Sequence, residues 1–270
     1  MCILFTYNGV VDEDSDYSFI LASNRDEFYD RPADKMAVWS DDPNVVAGRD
    51  LEAGGTWLAV SPLRKKIGVL LNLPGSTKLN SQSRGKVVSD YIKCEAPTKE
   101  YIESTKSYFK ECNDFLFVTV EDFVKSPLIQ AYNNSTCTLT EHRSKCEGFG
   151  NCLPRTPLKK VEGGKNVMQE ICNKFNKLTM KDELVNELIK FLKSDQRHLP
   201  DQLLEKRRPD SYKELSSIFV SIPRGRYGTR THTLVLVTKS GKMDIVEIDL
   251  KSSDDLLNPE WETTKFQYSL

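Results

Sequence analysis

The chain has 270 residues and a mass of 30.8 kDa, and its 38 basic and 39 acidic residues give a formal charge of −1. This near balance excludes the basic excess of nucleic-acid-binding proteins, so we expect no nucleic-acid partner. No stretch approaches the roughly 20 apolar residues of a membrane span, and the short N-terminal apolar run lacks the basic flank of a signal peptide.

The first 75 residues have the pattern of β structure. An apolar run at 2–7 is followed by an acidic turn and by a second run at 17–23, rich in aromatic and aliphatic residues. Two more strands are predicted at 54–61 and 65–73, joined by a turn. These two show little polar alternation, which is typical of a sheet covered on both faces.

Helices and further strands alternate along the rest of the chain. Apolar residues at helical spacing predict helices over 83–93 and 98–112 and a helical block over 159–194. Other strands are predicted within 114–133 and at 216–222, 229–240, 242–250 and 262–268. This order predicts an α+β fold with two helical layers around a central sheet, in which the first and last strands can meet. Because the sequence has neither a repeat nor a linker, we interpret residues 1–270 as one domain.

The cysteines indicate a reducing compartment. The chain has 7 of them, an odd number, and none forms a Cys-x-x-Cys pair. This pattern favours free thiols, and it predicts neither a metal site nor covalently attached haem. We therefore expect a cytoplasmic protein that is not secreted, with mitochondrial or Golgi association as further locations.

Cys2 directly follows the initiator Met and has a specific chemical possibility. If Met1 is removed, Cys2 carries both a thiol and a free α-amine. The amine titrates near about 8 and can take a proton from the neighbouring thiol. The alternative is that Cys2 is a small apolar residue on a buried strand. Acetylation of the amine would also abolish its use as a base.

The polar tetrapeptide Asn24-Arg25-Asp26-Glu27 follows the second predicted strand. If that strand pairs with the first in a hairpin, Asp26 lies near Cys2. A carboxylate there could hold an ammonium group, and an Asn could donate to an oxyanion. The alternative is a solvated polar turn with its own Asx hydrogen bonds.

Six segments of the chain, taken in order, resemble the NRDE family, the family of transport and Golgi organization proteins. The matched stretch runs from residue 1 to about 237, and the blocks at 83–112 and 165–213 match only loosely. The resemblance implies an N-terminal-nucleophile hydrolase-like fold, a four-layer αββα sandwich in which two antiparallel sheets pack face to face between helices. The segments are MCILF, LASNRDEFYDRPA, GGTWLAVS, GVLLNLPG, GFGNCLPRTPLKKV and RYGTRTHTLVLV.

Within that fold, the chain is similar to cysteine hydrolases that cleave bile-salt and penicillin-V amides. The resemblance implies that Cys2 is the nucleophile and that Asp26 orients the terminal amine. It also implies an oxyanion-hole role for Asn72, a second site asparagine at Asn151 and a site arginine at Arg230.

The chain departs from the pattern of those hydrolases at one position. They have an arginine where this chain has Ser23, two residues before Arg25. Its loss removes a charge-assisted donor and the positive field that favours a thiolate. Arg25 does not replace it, because on a strand its side chain should point to the face opposite those of Asn24 and Asp26. The chain therefore has an incomplete hydrolase site.

The candidate binding residues are Asn24, Arg25, Trp57 and His232. Trp57 is interpreted as a core residue, with an aromatic wall of a ligand pocket as the alternative. His232 lies on a predicted strand, where a local hydrogen bond is favoured over a role as metal or haem ligand.

The resemblance implies haem mobilisation between compartments, with links to lipid homeostasis, secretion and Golgi organisation. We expect a haem-trafficking protein that uses a hydrolase-derived pocket for an apolar, anionic cargo. It would require no cofactor and would contact a membrane or transporter transiently. Arg230 or Arg25 would meet the carboxylate of the cargo. The alternatives are an amidohydrolase or thioesterase acting through Cys2, and a scaffold acting only through its surface.

Overall fold

The computed structural model describes residues 2–75, 77–252, 256 and 258–270. They form two compact units: the first contains the chain up to Asp30 and Ser144–Ser269, and the second contains Arg31–Arg143 with Leu270. Each unit has one antiparallel sheet and its own helices, so the predicted α+β class is confirmed. The four-layer sandwich and the single domain stay predictions. No helix in the described ranges is long and apolar enough to cross a bilayer.

The strands and helices of the described residues are numbered in chain order. The strands are β1 (Ile3–Asn8), β2 (Tyr17–Phe28), β3 (Ala33–Val38), β4 (Val46–Asp50), β5 (Leu58–Ser61), β6 (Lys66–Asn72), β7 (Phe115–Glu121), β8 (Leu128–Asn133), β9 (Thr138–His142), β10 (Cys146–Gly150), β11 (Ser221–Ile222), β12 (Tyr227–Thr238), β13 (Lys242–Leu250) and β14 (Trp261–Ser269). The helices are α1 (Gly85–Lys93), α2 (Thr98–Glu111), α3 (Lys159–Lys174), α4 (Lys181–Leu192), α5 (Gln202–Arg207) and α6 (Tyr212–Leu215).

The sheet of the first unit has the order β10-β1-β2-β12-β13-β14, with β11 paired to β12. The predicted hairpin of β1 and β2 is confirmed, with Ile3 opposite Asn24. The expected meeting of the first and last strands is wrong, because β2, β12 and β13 lie between β1 and β14. The expectation of one central sheet is also wrong, since β3 to β9 form a separate sheet in the second unit.

The polar tetrapeptide lies within or at the end of a paired strand and is not a solvated turn. Strand β1 pairs with β2 only up to Asn24, and β2 continues to Phe28 because β12 pairs with its other edge along the whole length. Asn24, Arg25 and Asp26 are all buried, and Asp26 is only 3% exposed. Pairing with β12, which lies some 200 positions along the chain, turns this polar sequence into regular structure.

Helices α3 and α4 pack against the sheet of the first unit. The rings of Phe5 on β1 and Phe191 on α4 have centroids 5.0 Å apart. Gly164 allows α3 to approach closely, since a Cβ there would lie 2.3 Å from the ring of Phe5. This close approach places the first turn of α3 beside β1 and β10, next to the start of the chain.

The second unit has the strand order β3-β4-β5-β6-β7-β8-β9. Helices α1 and α2 cover part of this sheet through an aromatic cluster in which the rings of Tyr91 and Phe117 have centroids 5.1 Å apart. Both helices and strands β5 to β8 agree with the sequence prediction. Strands β3, β4, β9 and β10 were not predicted, because they are short and mix polar residues and glycine without clear alternation.

The segment 216–222 differs from its prediction as a strand. Only Ser221–Ile222 is β structure. The preceding residues form a buried loop whose carbonyl groups bind side chains from β2 and α3. This loop, residues 217–220, contributes to the site described next.

Candidate functional site

The hairpin of β1 and β2 brings Cys2 and Asp26 together, as the sequence predicts. The Sγ atom of Cys2 lies 3.8 Å from the main-chain oxygen of Asp26, to which the thiol donates a weak hydrogen bond. Burial raises the pKa of the Cys2 thiol, and the negative charge of Asp26 adds to this effect, while Arg25 opposes it. The protonated thiol is therefore favoured at this position.

The Asp26 carboxylate is held in place by the opposite strand. Thr229 on β12 donates from Oγ1 to Oδ1 of Asp26 at 2.7 Å. The same Oγ1 accepts the backbone N–H of Val220 at 2.9 Å. In addition, the Tyr227 hydroxyl donates to the main-chain oxygen of Asp26 at 3.3 Å. These contacts fix the orientation of the carboxylate relative to the loop at 217–220.

Asn24 connects the sheet to two other parts of the first unit. Its Nδ2 donates to the carbonyl oxygens of Leu192 at 2.8 Å and Ile218 at 3.0 Å. Its Oδ1 lies 2.7 Å from Nδ1 of His232 and accepts a hydrogen bond from it. Leu192 is the last residue of α4, whose final carbonyl groups have no partner within the helix. Asn24 is thus engaged by protein groups on both ends of its amide.

His232 is a neutral, buried histidine. Its ring stacks on Phe219 with a centroid distance of 6.0 Å and packs against Trp261 at 5.0 Å. Burial lowers its pKa to about 3, and the nearby charge of Lys193 acts in the same direction. The expected local hydrogen bond is present, to Asn24, and it fixes the tautomer with the proton on Nδ1.

A buried lysine, Lys160, interacts electrostatically with Asp26 and Cys2, and it is not among the residues predicted from the sequence. Lys160 is 1% exposed, and its Nζ donates to the carbonyl oxygen of Ser217 at 3.0 Å. Burial lowers the pKa of Lys160, while the negative charges of Asp26 and then of Cys2 raise it. The sequence carries one signal that could have found it: Lys160 starts a buried row at four-residue spacing, followed by Gly164, Met168 and Cys172.

Two arginines lie near each other on the same sheet. Arg25 pairs with Thr231, and Arg230 is the bulged residue at the register shift between Thr229 and Thr231. Burial and the positive charge of Arg25 both lower the pKa of Arg230, and the charge of Asp249 raises it. Arg230 also donates from Nη1 to the main-chain oxygen of Phe28 at 3.0 Å. The bulge therefore places a second guanidinium group within electrostatic range of the first.

The remaining predicted residues lie in different places. Asn151 is buried directly after β10, and its carbonyl oxygen accepts from Nη1 of Arg207 at 3.2 Å. Asn72 and Trp57 belong to the second unit, where Asn72 is exposed at the end of β6 and Trp57 packs over Gly48. Ser23 donates its hydroxyl to the carbonyl oxygen of Ile3 at 3.0 Å, so it joins β2 to β1.

Within the described ranges, no group of three or more His, Cys, Asp or Glu side chains is placed to hold a metal ion.

The first unit is thus an antiparallel sheet, backed by helices, that carries a thiol, a carboxylate and a buried lysine near the start of the chain. Residues 1–252 match the profile of the family described as Transport and Golgi organisation 2, and the chain belongs to this family. The Transport and Golgi organization protein 2 of Drosophila melanogaster is 32% identical over 279 residues, covering 99% of this chain and 98% of the fly protein. The homologs of Mus musculus and Homo sapiens are 29% and 28% identical, each over 100% of this chain and 99% of their own length.

Proposed function

We propose that this protein mobilises haem, or a similar apolar and anionic molecule, and that the first unit binds this cargo. The names of its relatives refer to transport and Golgi organization, and we extend that role to this chain, with links to lipid homeostasis. The cargo would be handed over through transient contact with a membrane or a transporter. The protein itself requires no cofactor in this role.

The observation that carries the proposal is the pair Arg25 and Arg230 beside exposed aromatic surface. Bringing two guanidinium groups together where burial removes their hydration is unfavourable. The charges of Asp249, Glu27 and Asp30 offset this cost in part, and a bound dianion would relieve the rest. Next to Arg230, Phe28 is 57% exposed and packs edge-on against Tyr227 with a centroid distance of 5.2 Å. Haem combines two carboxylates with a flat apolar ring, and it fits both features.

A haem titration followed by absorbance tests this proposal. Because a hydrogen bond to a charged group contributes about 1.5–3 kcal/mol, we expect Arg230→Gln to weaken haem binding by at least about tenfold. Arg224→Gln is the matched control, since Arg224 is exposed in the short turn that precedes β12. Haem dimethyl ester, which lacks the carboxylates, should bind wild type and Arg230→Gln equally. Equal haem affinity in all three proteins would refute the arginine site.

The second candidate function is a Cys2-dependent amidohydrolase or thioesterase. It is supported by the contact of the Cys2 thiol with Asp26 and by the buried Asn151, which directly follows β10, the strand paired with β1. Ser23, however, supplies a neutral hydroxyl group where the similar hydrolases have a cation.

The mass of the intact protein and a screen of acyl amides and thioesters test this candidate. Turnover that disappears in Cys2→Ala would support it. Retention of Met1, or an acetylated terminus, would remove the α-amine mechanism. The absence of turnover in protein with a free Cys2 would refute the hydrolase for the substrates screened.

A further inference from the structure

A lysine amine and a cysteine thiol are in contact at the end of α1, in the second unit. The Nζ atom of Lys66, the first residue of β6, lies 3.9 Å from Sγ of Cys94, which directly follows α1. Lys66 is only 5% exposed, and Cys94 is half-buried. A nucleophilic nitrogen and an oxidisable sulfur are therefore held together away from bulk water.

Helix capping explains part of this arrangement. Nζ of Lys66 donates to the carbonyl oxygens of Cys94, at 2.9 Å, and of Ala96, and it lies 4.8 Å from the centroid of the Tyr91 ring. A cation is favourable at this end of a helix, where carbonyl groups lack partners. Capping uses two of the three donors of the ammonium group, and the third is directed at sulfur. Because a cap needs only main-chain oxygens, it does not account for the thiol.

The two side chains approach each other from fixed main-chain positions. Sγ and the backbone N–H of Cys94 both donate to the carbonyl oxygen of Tyr91, each at 3.2 Å. Lys66 is paired with Ser61 on β5 and with Glu121 on β7, so strands hold it on both sides. Two groups positioned in this way react far faster with each other than the same groups free in solution.

We propose that Lys66 and Cys94 form a site of reversible oxidative modification, at which hydrogen peroxide converts their contact into a covalent sulfur–nitrogen bond. In the first step the sulfur of Cys94 attacks one oxygen of the peroxide, and the O–O bond breaks. The S–H proton leaves with the other oxygen as water. The product is a sulfenic acid, S–OH, in which sulfur has been oxidised by two electrons and the peroxide reduced by two.

The second step joins the amine to the sulfur. The Lys66 ammonium gives one proton to solvent, its nitrogen lone pair attacks the sulfur, and the S–O bond breaks. The leaving hydroxide takes a second proton from the nitrogen and departs as water, which leaves a sulfenamide with one N–H. Sulfenic acids are known to condense with a protein nitrogen in this way. One peroxide is consumed for each bond formed.

The modification would tie the end of α1 to the start of β6. A thiol reductant reverses it by attacking the sulfur and releasing the amine, and a second thiol then restores Cys94. Burial raises the pKa of the Cys94 thiol, and the charge of Lys66 opposes this effect. Because the thiolate is the form that peroxide oxidises, the reaction should be slow and should need sustained exposure to peroxide. The site depends neither on haem nor on Cys2.

The test is peptide mass spectrometry of the full chain after treatment with hydrogen peroxide in the absence of reductant. We expect a cross-linked pair of peptides that contains Lys66 and Cys94 and is two hydrogens lighter than the sum of the separate peptides. Dithiothreitol should remove this pair. Lys66→Arg, which keeps a cation that can donate to the carbonyl groups, should give no cross-link. Lys65→Arg changes the neighbouring, partly exposed lysine and is the matched control, which should cross-link as the wild type does.

Dimedone, which labels sulfenic acids, provides a second readout. In the wild type the amine competes with dimedone for the oxidised sulfur, so Lys66→Arg should raise the labelling of Cys94 at least about tenfold. Labelling of the exposed Cys137 should be equal in the two proteins. If Lys66→Arg does not fold, as judged by circular dichroism, the wild type decides, because the fragment spectrum of the cross-linked pair identifies both residues.

Sulfinic acid at Cys94 of the folded wild type, with no cross-link to Lys66, would overturn the proposal. A cross-link that keeps an oxygen atom of the peroxide, or that resists dithiothreitol, would overturn the condensation with loss of water. Cys94 that stays unmodified while Cys137 is oxidised would also overturn it, because peroxide would then not reach the thiol. Equal dimedone labelling of Cys94 in wild type and folded Lys66→Arg would show that the amine does not capture the sulfur.

Discussion

Replacement of Asn24 by Ala should strongly destabilise the first unit. Asn24 is 0% exposed and makes three hydrogen bonds, to the carbonyl oxygens of Leu192 and Ile218 and to Nδ1 of His232. A buried polar group left without its partner costs about 1–3 kcal/mol. Allowing for water entering the space left by the amide, we expect a loss of about 3–5 kcal/mol in the free energy of unfolding. Asn24→Asp should cost at least as much, because it keeps the shape but turns an oxygen toward two carbonyl groups.

Urea unfolding followed by circular dichroism measures this loss, with Asn166→Ala as the control. Asn166 is exposed on α3, and its replacement should change stability by less than about 0.5 kcal/mol. Hydrogen exchange should rise at the end of α4 and in the loop at 217–220, while α2 in the second unit keeps its protection. A loss below about 1 kcal/mol in both Asn24 variants would refute the argument. It would mean that the three hydrogen bonds are replaced by water at little cost.

Three further predictions concern the first unit. Gly164→Ala should destabilise it by about 1–3 kcal/mol, because the new Cβ would lie 2.3 Å from the ring of Phe5. Gly163→Ala is the control and should be tolerated, because its Cβ would meet only the movable ring of the half-buried His198. Thermal unfolding compares the two variants. Thr229→Val should cost about 2–4 kcal/mol in urea unfolding, since it strands a buried backbone N–H and frees the carboxylate it holds, while Thr229→Ser should retain most of the stability. His232 takes up a proton below about pH 6.5 in the unfolded chain, but in the folded chain its pKa is about 3. The free energy of unfolding therefore falls as the pH falls from about 6.5 toward 3. That loss is about 2 kcal/mol at pH 5, and a pH series of unfolding curves should show it in wild type and not in His232→Asn.

Local patterns in the sequence predicted much of the secondary structure. Strand β13 has the bounds 242–250 given by its apolar alternation, and α1 and α2 follow from apolar residues at helical spacing. The hairpin that brings Cys2 to Asp26 was also predicted, because two neighbouring apolar runs joined by an acidic turn are typical of a hairpin. These features depend on side chains close together in the chain, and their periodicity is visible without the fold.

Other features were decided by contacts that are distant in sequence. Strands such as β9 and β10 are too short and too polar to show a period, and they become regular only because a partner strand supplies hydrogen bonds. The order of strands, with β2 between β1 and β12, could not be deduced from the pattern of apolar residues either. Pairing with β12, and not local propensity, made the polar end of β2 a strand.

The candidate site likewise combines features that follow from the local sequence with features that depend on contacts distant in the chain. The sequence by itself determined that Cys2 and Asp26 lie close together and that Arg25 lies on a different face of β2 from Asn24. Only the tertiary structure decided that Asn24 holds the end of α4 and that Lys160 lies in the electrostatic field of Cys2 and Asp26. The physical reason is that a buried polar group is defined by its partners, and here those partners come from helices and loops far along the chain.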